Sequence, residues 1–169
     1  MKTIIIYYSL DGNTAKAAEA LARLTDADIC EIQPVKPIRS AGKPTFRVLM
    51  QGGGQITFGL CPKIQEFSAD LSQYDRIILG TPVWAGKCAS FVRTFAKKYA
   101  KQHHLSDKVT AVFTLSASGD NTKCIADLQK LLPNIGATVS LADRSNSLSA
   151  DNESKLAEFA GQLGQSFPR

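Results

Sequence analysis

Residues 3–14 read Thr-Ile-Ile-Ile-Tyr-Tyr-Ser-Leu-Asp-Gly-Asn-Thr, and an Ala-rich run from Ala15 to Leu24 follows. Thr3–Tyr8 is apolar, β-branched and aromatic, the composition of a strand buried on both faces. Ala15–Leu24 is made of Ala, Leu, Lys, Glu and Arg, which favour helix. Between them Ser9–Thr14 forms a tight loop of hydroxyl, amide and Gly residues. A strand that turns directly into a helix leaves the first helical N–H groups unpaired, and the macrodipole adds partial positive charge there. Such a junction accepts a phosphate, and it points to a phosphorylated cofactor.

The same alternation continues along the chain. Strand-like segments are Thr3–Tyr8, Asp28–Gln33, Arg76–Thr81, Lys108–Thr114 and Ala137–Ala142; helical patterns are Thr14–Leu24, Ala89–Lys101, Thr122–Leu132 and Asn152–Gln165. In the last helix Leu156, Phe159, Ala160 and Leu163 make one apolar stripe. Alternating strands and helices imply a parallel sheet covered by helices on both faces. Ile4-Ile5-Ile6, Ile77-Ile78-Leu79 and Val109–Phe113 are nearly continuous apolar runs, as central strands are. Asp28–Gln33 and Ala137–Ala142 alternate with polar residues, as edges do. The expected strand order is therefore 2-1-3-4-5, with a ligand beyond the carboxyl ends of strands one and three.

Bulk composition bounds the rest. The 169 residues suit one domain spanning 1–169, and no Pro/Gly/Ser-rich linker divides them. At 44% hydrophobic and 21% charged, the chain is ordinary for a soluble globular protein. No apolar run approaches the roughly 20 residues that cross a bilayer. A strand starting at residue 3 leads us to expect no secretory leader, and a cytoplasmic location. Cys30, Cys61, Cys88 and Cys124 form no C-x-x-C pair and read as free thiols, with neither metal nor disulfide. The net charge of +5 comes from scattered Lys and Arg without a run of five like charges; Lys97, Lys98 and Lys101 read as one wet helix face. No nucleic-acid-binding signature accompanies them.

Pro34–Pro62 is the least regular stretch. Phe46–Gln51 reads as a short helix stopped by Gly52-Gly53-Gly54. The triple Gly does not follow a strand and does not fit G-x-G-x-x-G, so it reads as a connection rather than a nucleotide loop.

In the expected sheet, three loops lie side by side at one end. They are Ser9–Thr14, then Thr81-Pro82-Val83-Trp84-Ala85-Gly86, then Leu115-Ser116-Ala117-Ser118-Gly119-Asp120. The second carries the only Trp of the chain, a flat partner for a flat ring.

Ser9-Leu10-Asp11-Gly12-Asn13-Thr14 resembles the phosphate loop of flavodoxins, usually S/T-x-S/T-G-x-T. Thr81-Pro82-Val83-Trp84-Ala85-Gly86 resembles the T-P-V/I-W-x-G loop of small bacterial flavodoxin-like proteins. The resemblance implies an α/β, three-layer, flavodoxin-like sandwich with a five-stranded parallel sheet and non-covalent flavin mononucleotide (FMN). It assigns the phosphate to the backbone N–H groups of Leu10, Asp11, Gly12, Asn13 and Thr14, with the Ser9 and Thr14 hydroxyls and the Asn13 amide. It places Thr81, Pro82, Val83, Trp84, Ala85 and Gly86 along one side of the ribityl chain and ring, and Ser116, Ala117, Ser118, Gly119 and Asp120 along the other.

Three departures qualify the resemblance. Asp11 stands where many flavodoxins have Ser or Thr; we expect it to face water or order the turn, because a carboxylate aimed at phosphate is repelled. The third loop has no Tyr or Trp to cover the outer ring face, which leaves room for a nicotinamide or quinone. The basic balance suits a partner other than that of acidic carrier flavodoxins, or a phosphorylated donor such as NAD(P)H. Cys88, expected at a helix N-terminus, and the helix-ending His103 and His104 read as structural. Three functions fit: an electron carrier with a redox partner protein, an FMN-dependent NAD(P)H:quinone-type oxidoreductase, and a flavodoxin fold with weak or lost cofactor binding. Oligomeric state is not legible.

Overall fold

The computed structural model describes residues 1–36, 60–142 and 148–165. The expected helix at 46–51 and the triple Gly at 52–54 lie outside the described residues. Five parallel strands form the sheet: β1 (Thr3–Tyr7), β2 (Asp28–Glu31), β3 (Arg76–Trp84), β5 (Val109–Ser116) and β6 (Ala137–Ala142). Their order is β2-β1-β3-β5-β6, and a two-residue strand β4 (Lys87–Cys88) pairs antiparallel with the end of β3. Apart from β4, this is the order read from hydrophobicity, so the sheet has six strands where five were expected.

Period-two alternation splits the core. Ile4, Ile6, Ile77, Leu79 and Val112 point to one face of the sheet, and Ile5, Tyr7, Ile78, Ala111 and Phe113 to the other. Each face is covered by helices, which is why the central strands can be apolar throughout. The second face is closed by α1 (Asn13–Thr25) through Ala17, Ala18 and Leu21, and by α4 (Ala150–Gln165) through Leu156, Phe159 and Leu163. The first is closed by α2 (residues 90–102) and by α3 (Thr122–Leu131), which buries Cys124 and Leu128. Edge strand β2 is half-buried or exposed throughout, as its polar residues require.

Helix α2, residues 90–102, is not uniform. It is α-helical over Ser90–Thr94, π-helical over Phe95–Tyr99 and α-helical again over Ala100–Gln102. The wide turn leaves the Phe95 and Tyr99 rings stacked, 5.8 Å apart and 19° from parallel, and Tyr99 stacks in turn on His103 at 4.1 Å.

One glycine is forced by packing. Gly80 lies in β3 between Tyr7 of β1 and Phe113 of β5, and a Cβ there would meet the Phe113 ring and stand 2.8 Å from the Tyr7 Cβ. Among the described residues, no helix is long and apolar enough to cross a membrane.

Candidate functional site

Strand order brings the three loops together. β1, β3 and β5 are neighbours, so the segments that leave their carboxyl ends, at residues 8–12, 85–86 and 117–121, share one edge of the sheet. Tyr8 ties the first to the second: its N–H donates to the Gly80 carbonyl at 3.2 Å, and its ring meets Trp84.

The first loop makes an uncapped helix start. Gly12 stands at the N-cap of α1 with φ 83°, makes no side-chain cap, and has open space where a Cβ would sit. Only glycine adopts this left-handed turn without strain. No acidic residue occupies the first turn of α1, so nothing there offsets the positive end of its dipole. The Ser9 hydroxyl oxygen accepts the Ala15 N–H at 3.3 Å, which leaves its own O–H to donate outward. Asp11 is exposed, while Thr14 is buried at 2% exposure. Leu10 and Asn13 are half-buried.

The second loop is mostly not a loop. Thr81, Pro82, Val83 and Trp84 belong to β3, which turns back through Ala85 and Gly86 into β4. Val83 pairs with Cys88 and Trp84 with Lys87, and both turn residues have positive φ, 50° and 72°. That is the mirror-image two-residue turn that matches strand twist. Thr81 is fully buried; its hydroxyl oxygen accepts the Ala89 N–H at 3.1 Å and its O–H donates to the Pro82 carbonyl at 2.8 Å. The Thr81 side chain therefore anchors the hairpin to the start of α2, and what it can offer a ligand is backbone. Trp84 is half-buried with its ring against Tyr8, leaving part of the indole at the edge.

The third loop is ordered by hydroxyls. Ser116 Oγ accepts the Gly119 N–H at 3.1 Å and lies 3.2 Å from Ser118 Oγ, which accepts the Asp120 N–H at 3.3 Å. Ala117, Ser118 and Asp120 are exposed, and no aromatic side chain stands in this loop. Asp120 takes the N–H and the hydroxyl of Thr122 on its Oδ1, and these bonds hold its carboxyl below the ordinary range. Its neighbour Asn121 was absent from the sequence-based site. It is buried at 1% exposure, and neither its Oδ1 nor its Nδ2 has a hydrogen-bond partner. The readable signal was its spacing from Cys124 and Leu128 at i, i+3 and i+7, one buried helix face.

Cys88 and Cys124 differ from the sequence reading. Cys30, Cys61, Cys88 and Cys124 are not joined in disulfides, and Cys88 lies in β4 rather than at a helix N-terminus. The Cys124 thiol donates to it and lowers its pKa, and Arg93 lowers it further, while Cys124 is raised in turn. The cause is a neighbouring thiol rather than a helix dipole. Burial pushes the Tyr8 phenol up to about 12, with Glu31 and Asp11 adding to it. His103 and His104 are exposed beyond the end of α2. Among the described residues, no group of three or more His, Cys, Asp or Glu is placed to hold a metal.

A family model described as Flavodoxin matches residues 2–147. A NAD(P)H dehydrogenase (quinone) of Methylocella silvestris is 30% identical over 125 residues, covering 69% of this chain and 57% of that protein. The chain thus matches little more than half the length of that relative. A flavoprotein in complex with FMN from Lactobacillus acidophilus NCFM is 25% identical, with a TM-score of 0.60 over 83% of this chain and 91% of that one. Two solved structures share the fold at lower identity. A protein of Bacteroides eggerthii is 21% identical, with a TM-score of 0.74 over 96% of this chain and 98% of its own. Oxidised flavodoxin 2 from Bacillus cereus is 17% identical, with a TM-score of 0.51 over 99% and 100%.

Proposed function

This chain belongs to the flavodoxin family, and from that premise we propose that it binds FMN non-covalently and passes electrons to or from a protein partner. The observation that carries the reading is the start of α1. A left-handed Gly12 with open space above it, a Ser9 hydroxyl free to donate, and no acidic residue in the first turn together suit a dianion. The residues present fit the group: donors gather at the first loop, and apolar and small side chains at the second and third. Backbone N–H groups of residues 10–14 and the Ser9 and Thr14 hydroxyls would hold the phosphate; Trp84 and the 85–86 turn would flank the ring on one side and residues 116–120 on the other. The flavin supplies the hydride and single-electron chemistry, and the protein sets its potential. Asp11 points to water in this arrangement, so its charge is largely screened from the phosphate.

The test is the absorption spectrum of the purified protein, followed by FMN titration. A flavin spectrum, or one that appears on titration, is expected. No bound flavin after incubation with FMN would leave a fold without its cofactor.

A second reading has its own support. Ala117 and Ser118 are exposed and the third loop puts no aromatic ring over the site, so a nicotinamide or quinone could approach. The likeness to a NAD(P)H dehydrogenase (quinone) agrees with it. Steady NAD(P)H consumption with a quinone acceptor selects this reading over the carrier.

A further inference from the structure

Asn121 has no partner where its residue type is usually satisfied. It sits at the N-cap of α3, a position where Asn normally turns its side chain onto the helix N–H groups, yet it makes no side-chain cap. Asp120 performs that task instead, holding the Thr122 N–H at 3.2 Å and the Thr122 hydroxyl at 2.9 Å. The Asn121 side chain is turned inward on the face of α3 that also buries Cys124 and Leu128, and Cys124 meets Cys88 of the β3–β4 hairpin. The amide therefore lies on the inner face of α3, where the helix leaves residues 116–120. There both its donor and its acceptor are buried and unmet.

Buried polar groups in folded proteins are nearly always paired, and an unpaired one carries its full desolvation cost. A leucine would fill the same space without that cost. An unpaired amide next to a ligand loop is explained when the ligand is its partner.

We propose that the Asn121 side chain is a specificity-determining contact for the imide edge of the bound flavin ring. This rests on the FMN reading above. The chemistry narrows the choice within the cofactor. A phosphate only accepts and would leave Oδ1 unmet. The dimethylbenzene edge of the ring offers neither donor nor acceptor. The pyrimidine end presents C=O, N–H and C=O in a row, so one amide can give and receive a hydrogen bond with it. Residues 116–120 lead directly into Asn121, and their bonds to one another run through exposed serine hydroxyls and Gly119 at φ 76°. In this proposal, settling of that loop on the ring is what would bring the two amide-like edges together. The inference gives the third loop a recognition role even though it lacks an aromatic residue.

The test compares the parent with Asn121→Leu and Asn121→Ala. FMN and lumiflavin, the ring without ribityl or phosphate, are titrated calorimetrically, and thermal unfolding of the FMN-free proteins is followed. Asn121→Leu is expected to raise the midpoint of the FMN-free protein while weakening FMN and lumiflavin by the same factor, tenfold or more. On the unaltered protein, lumiflavin methylated at N3 is expected to bind at least tenfold weaker than lumiflavin, and Asn121→Ala to shrink that discrimination. This arm stands even if the leucine variant does not fold.

Other outcomes overturn the proposal. Unchanged affinities in Asn121→Leu would make the amide purely structural. Weaker FMN with unchanged lumiflavin would move the contact to the ribityl hydroxyls. A lowered midpoint without FMN would mean the amide has a partner inside the protein. A parent that binds FMN while the variants behave alike removes this inference only, whereas a parent that binds no FMN removes the cofactor reading and this inference together.

Discussion

The ring of Tyr8 meets the indole of Trp84 edge to face, with centroids 6.3 Å apart and planes at 90°. Tyr8 is itself held by Phe91 of α2, 4.9 Å away, so the last residue before the first loop braces the tryptophan of the hairpin. Trp84 is braced by Tyr8 and half-buried. FMN binding is expected to quench its emission, and as the only Trp it reports without interference from another indole. Trp84→Ala should weaken FMN by about 0.5–1.5 kcal/mol beyond the lost burial. Binding with unchanged emission would place Trp84 away from the ring.

Thr14 tests the phosphate. Its side chain is buried at the start of α1, and Thr14→Val removes one hydroxyl while keeping the shape. We expect FMN to bind more weakly by about 1.5–3 kcal/mol, the value of a hydrogen bond to a charged group. Riboflavin is expected to bind far more weakly than FMN; equal affinities in a titration would dismiss the phosphate loop.

Asp11 is expected to matter little. Exposed substitutions away from special features usually change energies by less than about 0.5 kcal/mol, and Asp11 is exposed. Asp11→Ser should leave FMN affinity near that of the parent at both low and high salt. A tenfold gain at low salt, about 1.4 kcal/mol, would put the carboxylate against the phosphate after all.

Gly80→Ala should destabilise the fold. The new Cβ has to displace the Phe113 ring or the Tyr7 Cβ, both buried between central strands. Overpacking of this kind costs about 1–3 kcal/mol. Denaturant unfolding of the FMN-free protein measures it, and a midpoint equal to the parent's would show that Phe113 gives way freely.

Alkaline pH should weaken the fold through its tyrosines. Burial raises Tyr8 to about 12 from an ordinary 10.0, and Tyr99, raised by burial and by its bond to Glu66, also reaches about 12. A raised phenol pKa means that folding favours the neutral form. The stabilisation is whole below pH 10 and is lost as the pH rises through about 12. Unfolding followed by circular dichroism across that range, with the phenolate band as a second signal, should show the loss. Tyr8→Phe should flatten it; an unaltered pH dependence in that variant would remove Tyr8 as a cause.

Much of the fold was legible because the sheet sorts its own residues. Ile4-Ile5-Ile6 and Ile77-Ile78-Leu79 need cover on both faces, which only central parallel strands receive, while Asp28–Glu31 carries charge and takes an edge. The small strand β4 was not legible, because Ala85 is an unusual occupant of a left-handed turn and two residues carry no periodicity. The π-helical turn over Phe95–Tyr99 leaves no mark in composition either.

The sequence by itself determined the layer architecture, the strand order and the helix start that suits a phosphate, since all three follow from local hydrophobicity and from Gly12 between a strand and a helix. Only the tertiary structure decided which side chains are spent within the protein and which are left over. The Thr81 hydroxyl is consumed by Ala89 and Pro82, Cys88 is paired with Cys124, and Asn121 is buried with nothing to bond. Hydrogen-bond satisfaction depends on partners distant in the chain, and no local pattern of residues encodes it.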